Sequence, residues 1–173
     1  MKTLLILITT ITFSTLCYSQ DGESFFKKGE LKFNAGKYKE AIADYNDAIK
    51  ADPKVVNYYL RRAFCYGMEQ KYELSIADYR KVIELKPEHV WAYINCGSAN
   101  NKLKRYNDAL ADFNKALEIE PKNDDAMAEA YNNRGWAKDG LGDAKGACDD
   151  WKKSKKLGND EARKVIMKNT HCK

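Results

Sequence analysis

Only two histidines and three prolines occur among the 173 residues of this chain. There is no His-Glu-x-x-His pair, no Cys-x-x-Cys pair and no glycine-rich phosphate loop, so no motif of hydrolytic metal chemistry or nucleotide binding is present. His89 falls at a junction between two segments and His171 in the tail. With Cys172 beside it, His171 supplies two donors where a zinc site takes three or four. The expectation is a protein without catalysis, metal or cofactor. A general excess of one charge is also missing: residues 20 to 144 carry 20 basic and 21 acidic side chains, whereas residues 145 to 173 carry 9 and 4. The basic patch centres on Lys152, Lys153, Lys155 and Lys156. It lacks interleaved aromatics, which argues against nucleic acid. A solvated helix face, or contact with an acidic partner or a membrane surface, are the readings it leaves.

The single long hydrophobic run lies at the start. Met1-Lys2 gives a short positive beginning, Leu4 to Leu16 is uncharged and largely apolar, and Cys17-Tyr18-Ser19 places small residues where a signal peptidase reads. Residues 1–19 are therefore expected to be a cleaved signal peptide, with export to the periplasm or cell envelope of a Gram-negative bacterium. A secreted product and an outer-membrane lipoprotein anchored at Cys17 are the alternatives. Thirteen residues fall short of a membrane span, which takes about 20.

What is abundant is order. The three prolines, Pro53, Pro87 and Pro121, are 34 residues apart, the signature of a unit copied in tandem. Small residues keep the same step at Gly29, Ala63, Gly97 and, after a slip of four, Gly135; a second small set is Ala41, Ser75, Ala109 and Ala147. Aromatics follow at Tyr45, Tyr79, Phe113 and Trp151. Between the two small sets lie short turn segments flanked by apolar residues at three- and four-residue spacing. Each unit reads as helix, turn, helix, with the proline ending the second helix.

At these residues the chain resembles the tetratricopeptide repeat family, whose unit has this length and this small, small, aromatic, small, proline pattern. The resemblance implies an all-α, right-handed superhelical solenoid of four units, near residues 22–55, 56–89, 90–123 and 128–159, spanning 20–159. Residues 160–173 would form a capping helix and tail beyond Leu157-Gly158, begun by Asn159 and packed through Ala162, Val165 and Ile166. The last unit carries four extra residues, Asp124 to Met127, read as one added helical turn capped by Asn123.

The family also identifies which side of each first helix faces inward. Projected here, that stripe holds Phe26, Glu30 and Phe33; Asn57, Leu60, Phe64 and Met68; Trp91, Ile94, Ser98, Asn101 and Lys102; and Glu129, Asn132, Trp136 and Asp139. The implied function is a non-catalytic scaffold that takes a protein or peptide partner on apolar anchors, with asparagines holding its backbone, in an envelope assembly. Core packing of some of these aromatics, Phe33 and Trp136 first, is the competing reading. A structural or membrane-associated role through the basic end is the alternative function. The lysine, arginine and asparagine clamp that family members use for a peptide carboxylate is not matched: the corresponding places hold Phe26, Glu30, Arg61, Trp91 and Asn95.

Four cysteines lie beyond the leader. In an antiparallel terminal hairpin Cys148 and Cys172 reach similar levels, about 14 to 18 Å from the turn at 1.5 Å per residue, and exported repeat proteins with such a pair look similar. A Cys148–Cys172 disulfide is expected, with Cys65 and Cys96 as buried thiols. The repeated aspartates Asp44, Asp78, Asp112 and Asp150 are expected on solvated helix faces, the last three paired with Lys81, Lys115 and Lys153 three residues on.

Overall fold

The computed structural model describes residues 21–119, 124–168 and 172. The leader with Cys17, and also Pro121, Asn123 and His171, lie outside the described residues. Every regular element is an α-helix: residues 21–34 (α1), Tyr38–Ala51 (α2), Val56–Met68 (α3), Tyr72–Leu85 (α4), Val90–Lys102 (α5), Tyr106–Glu118 (α6), Asp124–Gly140 (α7), Ala144–Lys156 (α8) and Asp160–Lys168 (α9). The helices group into two compact bodies, one ending at Lys71 and the other starting at Tyr72.

In the first body α1 and α2 form a hairpin whose closeness depends on Gly29. A Cβ there would meet the Tyr45 ring at 2.5 Å. Tyr45 is fully buried with Ala41, Ile42 and Cys65, and its hydroxyl donates to Glu30 Oε1 at 2.5 Å. Burial and the neighbouring Glu30 carboxylate both push the Tyr45 hydroxyl to a raised pKa.

The second body repeats the device twice. A Cβ at Gly97 would meet the Phe113 ring at 2.8 Å, and one at Gly135 would meet Trp151 at 2.5 Å. Phe113 and Trp151 are wholly buried; enclosing a ring the size of Phe113 is worth about 2 to 3 kcal/mol. Around them the core is mostly alanine, with Ala109, Ala116, Ala126, Ala130 and Ala137 buried. Small side chains let helix axes approach while one aromatic per hairpin fills the remaining space.

The turns repeat as well. Gly36, Gln70, Lys104 and Gly142 occupy the same place after a first helix, and all have positive φ, 72°, 57°, 58° and 84°. The inserted residues do lengthen a helix: α7 has 17 residues where α5 has 13. After Gly158, at φ 95°, Asn159 Oδ1 accepts from Ala162 N at 3.0 Å and starts α9. Ala162, Val165 and Ile166 pack on Trp151 and Cys148, and Cys148 is bonded to Cys172 with a Cα–Cα distance of 5.2 Å. Cys65 and Cys96 are free and buried, and burial pushes both thiols up to about 12.

The expected surface pairing of the aspartates is overturned. Asp78, Asp112 and Asp150 are buried. Asp112 is held by Arg80 at 2.6 and 2.9 Å and by Asn100 Nδ2 at 3.0 Å. Asp150 takes a fork from Arg134, at 2.7 and 2.8 Å, and Lys138 Nζ at 2.8 Å. Lys115 turns to Glu118 instead, and Lys153 lies over the Tyr131 ring at 5.2 Å. Helical phase explains the difference: the aspartate points at the neighbouring helix, and the lysine three residues on stands about 60° round from it, toward solvent. Burial alone would raise the Asp150 pKa, yet the bonds from Arg134 and Lys138 outweigh it and hold the carboxyl below its usual range.

Candidate functional site

The side chains projected onto the inward stripe divide into three kinds. Some are core. Ile94 is 1 % exposed and packs in the cluster around Phe113, so it is no groove residue; Asn132, also 1 % exposed, is enclosed too. Phe26 is half-buried between Tyr45 and Tyr58, at ring distances of 5.7 and 5.1 Å, and serves the core as well. All three placements have one cause: a helix presents one stripe to its hairpin partner and an adjacent stripe to the open side, and one position of rotation separates them.

Others are engaged locally. Glu30 accepts from Tyr45 and pairs with Arg61 at 3.1 Å, while the Arg61 guanidinium lies 4.9 Å from the Phe33 ring. Arg61 is thus already neutralised. Phe33 in turn packs against Phe64 at 5.4 Å. His89 caps α5, its Nδ1 accepting from Ala92 N at 3.2 Å; burial lowers its pKa and keeps the ring neutral for that bond.

The third kind is open. On α3 of the first body, Phe64 and Met68 are 42 % and 51 % exposed, Asn57 is exposed and Leu60 is half-buried. In the second body Trp91 and Trp136 are 40 % and 42 % exposed. Trp136 meets buried Trp151 edge-on at 5.2 Å, which fixes its ring and leaves one face free. A pre-set aromatic face binds at low entropic cost.

Around Trp136 lie two adjoining clefts. One, of about 410 Å³, is lined by Ser98, Asn101, Lys102, Tyr106 and Asn133. Asn101 Nδ2 donates to the Asn133 carbonyl at 2.8 Å, and its buried Oδ1 has no hydrogen-bond partner. Asn133 Nδ2 bridges to Ser98 Oγ at 3.2 Å and Glu129 Oε1 at 2.7 Å. The ladder is polar and pre-ordered, with one acceptor left over. The other cleft, of about 570 Å³, shares Trp136 and Glu161 with the first and is walled by Lys164, Val165 and Lys168, with Asp139 at its edge. Such volumes suit short peptide segments or small ligands. A third hollow of about 350 Å³ joins Trp91, Asn95 and Glu129 to the α8–α9 turn.

Sequence reasoning missed Tyr106, Asn133 and the α9 residues. The spacing of Glu161, Lys164, Val165 and Lys168 was visible, but the helix was read only as a cap. Lys152, Lys153, Lys155 and Lys156 are exposed on α8, as expected of a basic patch. Among the described residues no group of three or more His, Cys, Asp or Glu could hold a metal, and no helix is long and apolar enough to cross a membrane.

Tandem helical hairpins closed by a glycine-on-aromatic contact, with aromatic and amide side chains open on the first helices, define a helical-repeat protein. Tetratricopeptide repeat profiles match residues 26–88 and 90–123. The first TPR domain of Spaghetti (RPAP3), solved with the HSP90 peptide SRMEEVD, is 30 % identical, with 72 % of this chain and 95 % of that one covered at a TM-score of 0.65. The TPR2B domain of yeast Sti1, solved in complex with pHsp70, is 27 % identical over 70 % of this chain and 98 % of that one, TM-score 0.66. MamA from Desulfovibrio magneticus RS-1 shares the fold at 18 % identity, covering 84 % and 81 %, TM-score 0.76. The chain belongs to the tetratricopeptide repeat family. No curated protein matches it.

Proposed function

We propose that this protein is an exported, non-catalytic interaction scaffold whose first-helix faces capture a peptide segment of a partner in the cell envelope. The observation that carries the reading is Trp136: a large ring held in place from behind, open in front, and bordered by an amide ladder with an unpartnered acceptor. Apolar anchors beside backbone-directed amides are what an extended segment needs. Two similar domains were solved with chaperone peptides, and peptide capture is the property carried over from them. A carboxylate clamp is not part of the proposal, because Arg61 is tied to Glu30.

The test is affinity capture from crosslinked envelope extract, comparing the protein with a Trp136→Ala variant of equal helicity. A partner held by the first and lost by the second supports the reading. Identical profiles refute it and favour attachment through the exposed lysines of α8, the second reading, which neutralising Lys152, Lys153 and Lys156 would then abolish. Export is checked separately, by the mass of the N-terminal peptide in the periplasmic fraction. Cleavage before Gln20 is expected, and an intact or lipid-modified Cys17 excludes it.

A further inference from the structure

We propose that α9 is a contact wall of the groove rather than a lid on its end, and that it receives an internal segment with an apolar side chain next to carboxylates. This rests on the peptide-capture reading and names the chemistry of the peptide. Glu161, Lys164, Val165 and Lys168 stand at i, i+3, i+4 and i+7, one stripe of a helix, and all four line the 570 Å³ cleft. The adjacent stripe is spent on the core, with Ala162 fully buried and Ile166 packed beside it, and Val165 stands at the border of the two. The Cys148–Cys172 bond, four residues past the end of α9, pins that wall to α8.

The floor is apolar, made by the open face of Trp136 and by Val165, so a leucine or aromatic side chain is its complement. The rim is charged and unsatisfied. Among the described residues neither Lys164 nor Lys168 has an ion-pair partner, and the pair α9 does make there, Arg163 with Asp160, involves neither of them. Asp139 and Glu161 on the same rim have no ion-pair partner among the described residues either, and they accept the segment's donors. The balance favours an acidic visitor: with Lys102 the two clefts carry three ammonium groups against two carboxylates. Residues 144 to 168 carry eight basic and four acidic side chains, one of which, Asp150, is enclosed by Arg134 and Lys138. Two lysines one helical turn apart, in a cleft whose lining holds no guanidinium, take side-chain carboxylates without requiring a chain end.

The experiment is selection from a displayed library of random 12-residue peptides, each held in a scaffold at both ends so that no free C-terminus is offered. Selected peptides are then measured by fluorescence anisotropy. Enriched peptides should carry Asp or Glu within two positions of a Leu, Phe or Trp. Their affinity should fall at least tenfold in Lys164→Glu, Lys168→Glu, fall less in Lys164→Ala, Lys168→Ala, and weaken steeply with salt. Both pairs are exposed, and helicity reports their folding. Peptides without acidic residues, or indifferent to the charge reversal yet lost with Trp136→Ala, overturn the role of α9 and leave peptide capture standing. No enrichment at all sinks both.

Discussion

Opening the Cys148–Cys172 bond is expected to destabilise the second body by about 3 kcal/mol. The bond joins residues 24 apart, and the chain-entropy relation for a loop of that size gives about 11.6 cal/mol/K, or about 3.4 kcal/mol at 25 °C. Reduction is the cleaner perturbation, because serines in place of the cysteines would add hydroxyls to a buried site already filled by Trp151 and Ala162. No other disulfide is present among the described residues, since Cys65 and Cys96 are free. Urea unfolding followed by tryptophan fluorescence is the assay, Trp136 and Trp151 both lining the cleft that α9 walls. With a slope of about 2 kcal/mol/M the midpoint should drop by about 1.5 to 2 M. Hydrogen exchange should show α9 losing protection before α7 and α8. A shift below about 0.3 M would refute the reasoning, meaning that Ala162, Val165 and Ile166 hold α9 without covalent help.

Asp150→Asn should cost about 3 to 5 kcal/mol, because Arg134 and Lys138 are left facing a group that no longer balances them. As the Asp150 pKa is depressed on folding, its contribution is present above the unfolded value near 4 and fades as pH falls toward the folded one. Acid titration of stability should therefore lose slope below about pH 4 in the variant. Gly135→Ala should destabilise by about 1 to 2 kcal/mol despite better helix propensity, since the new methyl meets Trp151, whose Nε1 is fixed on the Asn132 carbonyl at 3.2 Å; thermal melting reads it. With thiols pushed up to about 12, Cys65 and Cys96 carry a thiolate fraction on the order of 10⁻⁴ at pH 8. Mass spectrometry should find neither alkylated by iodoacetamide until the chain is unfolded.

Helix order was readable because it depends on residues that repeat. Proline spacing, the glycine, alanine and aromatic sets and the Asn159 start of α9 each reflect a local steric demand, and each demand recurs with every hairpin. The disulfide was readable for a related reason, since a hairpin fixes which residues share a level. Side-chain partners were not readable in the same way. Asp112 and Asp150 occupy equivalent places, yet one is held by Arg80 and Asn100 and the other by Arg134 and Lys138. Repetition specifies the carboxylate, while its counter-charge comes from whichever neighbouring helix happens to offer one. On the groove side, Ile94 and Trp91 lie three residues apart on one helix and end in different environments. Distinguishing them requires the phase of the helix to within one residue, and the 3.6-residue period supplies that only once its partner is placed.

The Arg80–Asp112 pair crosses 32 residues, from α4 to α6, and Asn101 reaches the Asn133 carbonyl across the same interval. Hairpins that share alanine-lined surfaces are nearly interchangeable as far as apolar contact is concerned. A stack shifted by one hairpin would bury comparable area. It would also strand the Asp112 carboxylate without its counter-charge, a penalty of several kcal/mol for an ion out of water. The buried aspartate thus acts as an address label, giving each otherwise similar hairpin a single admissible register and guarding the newly made chain against mis-stacking.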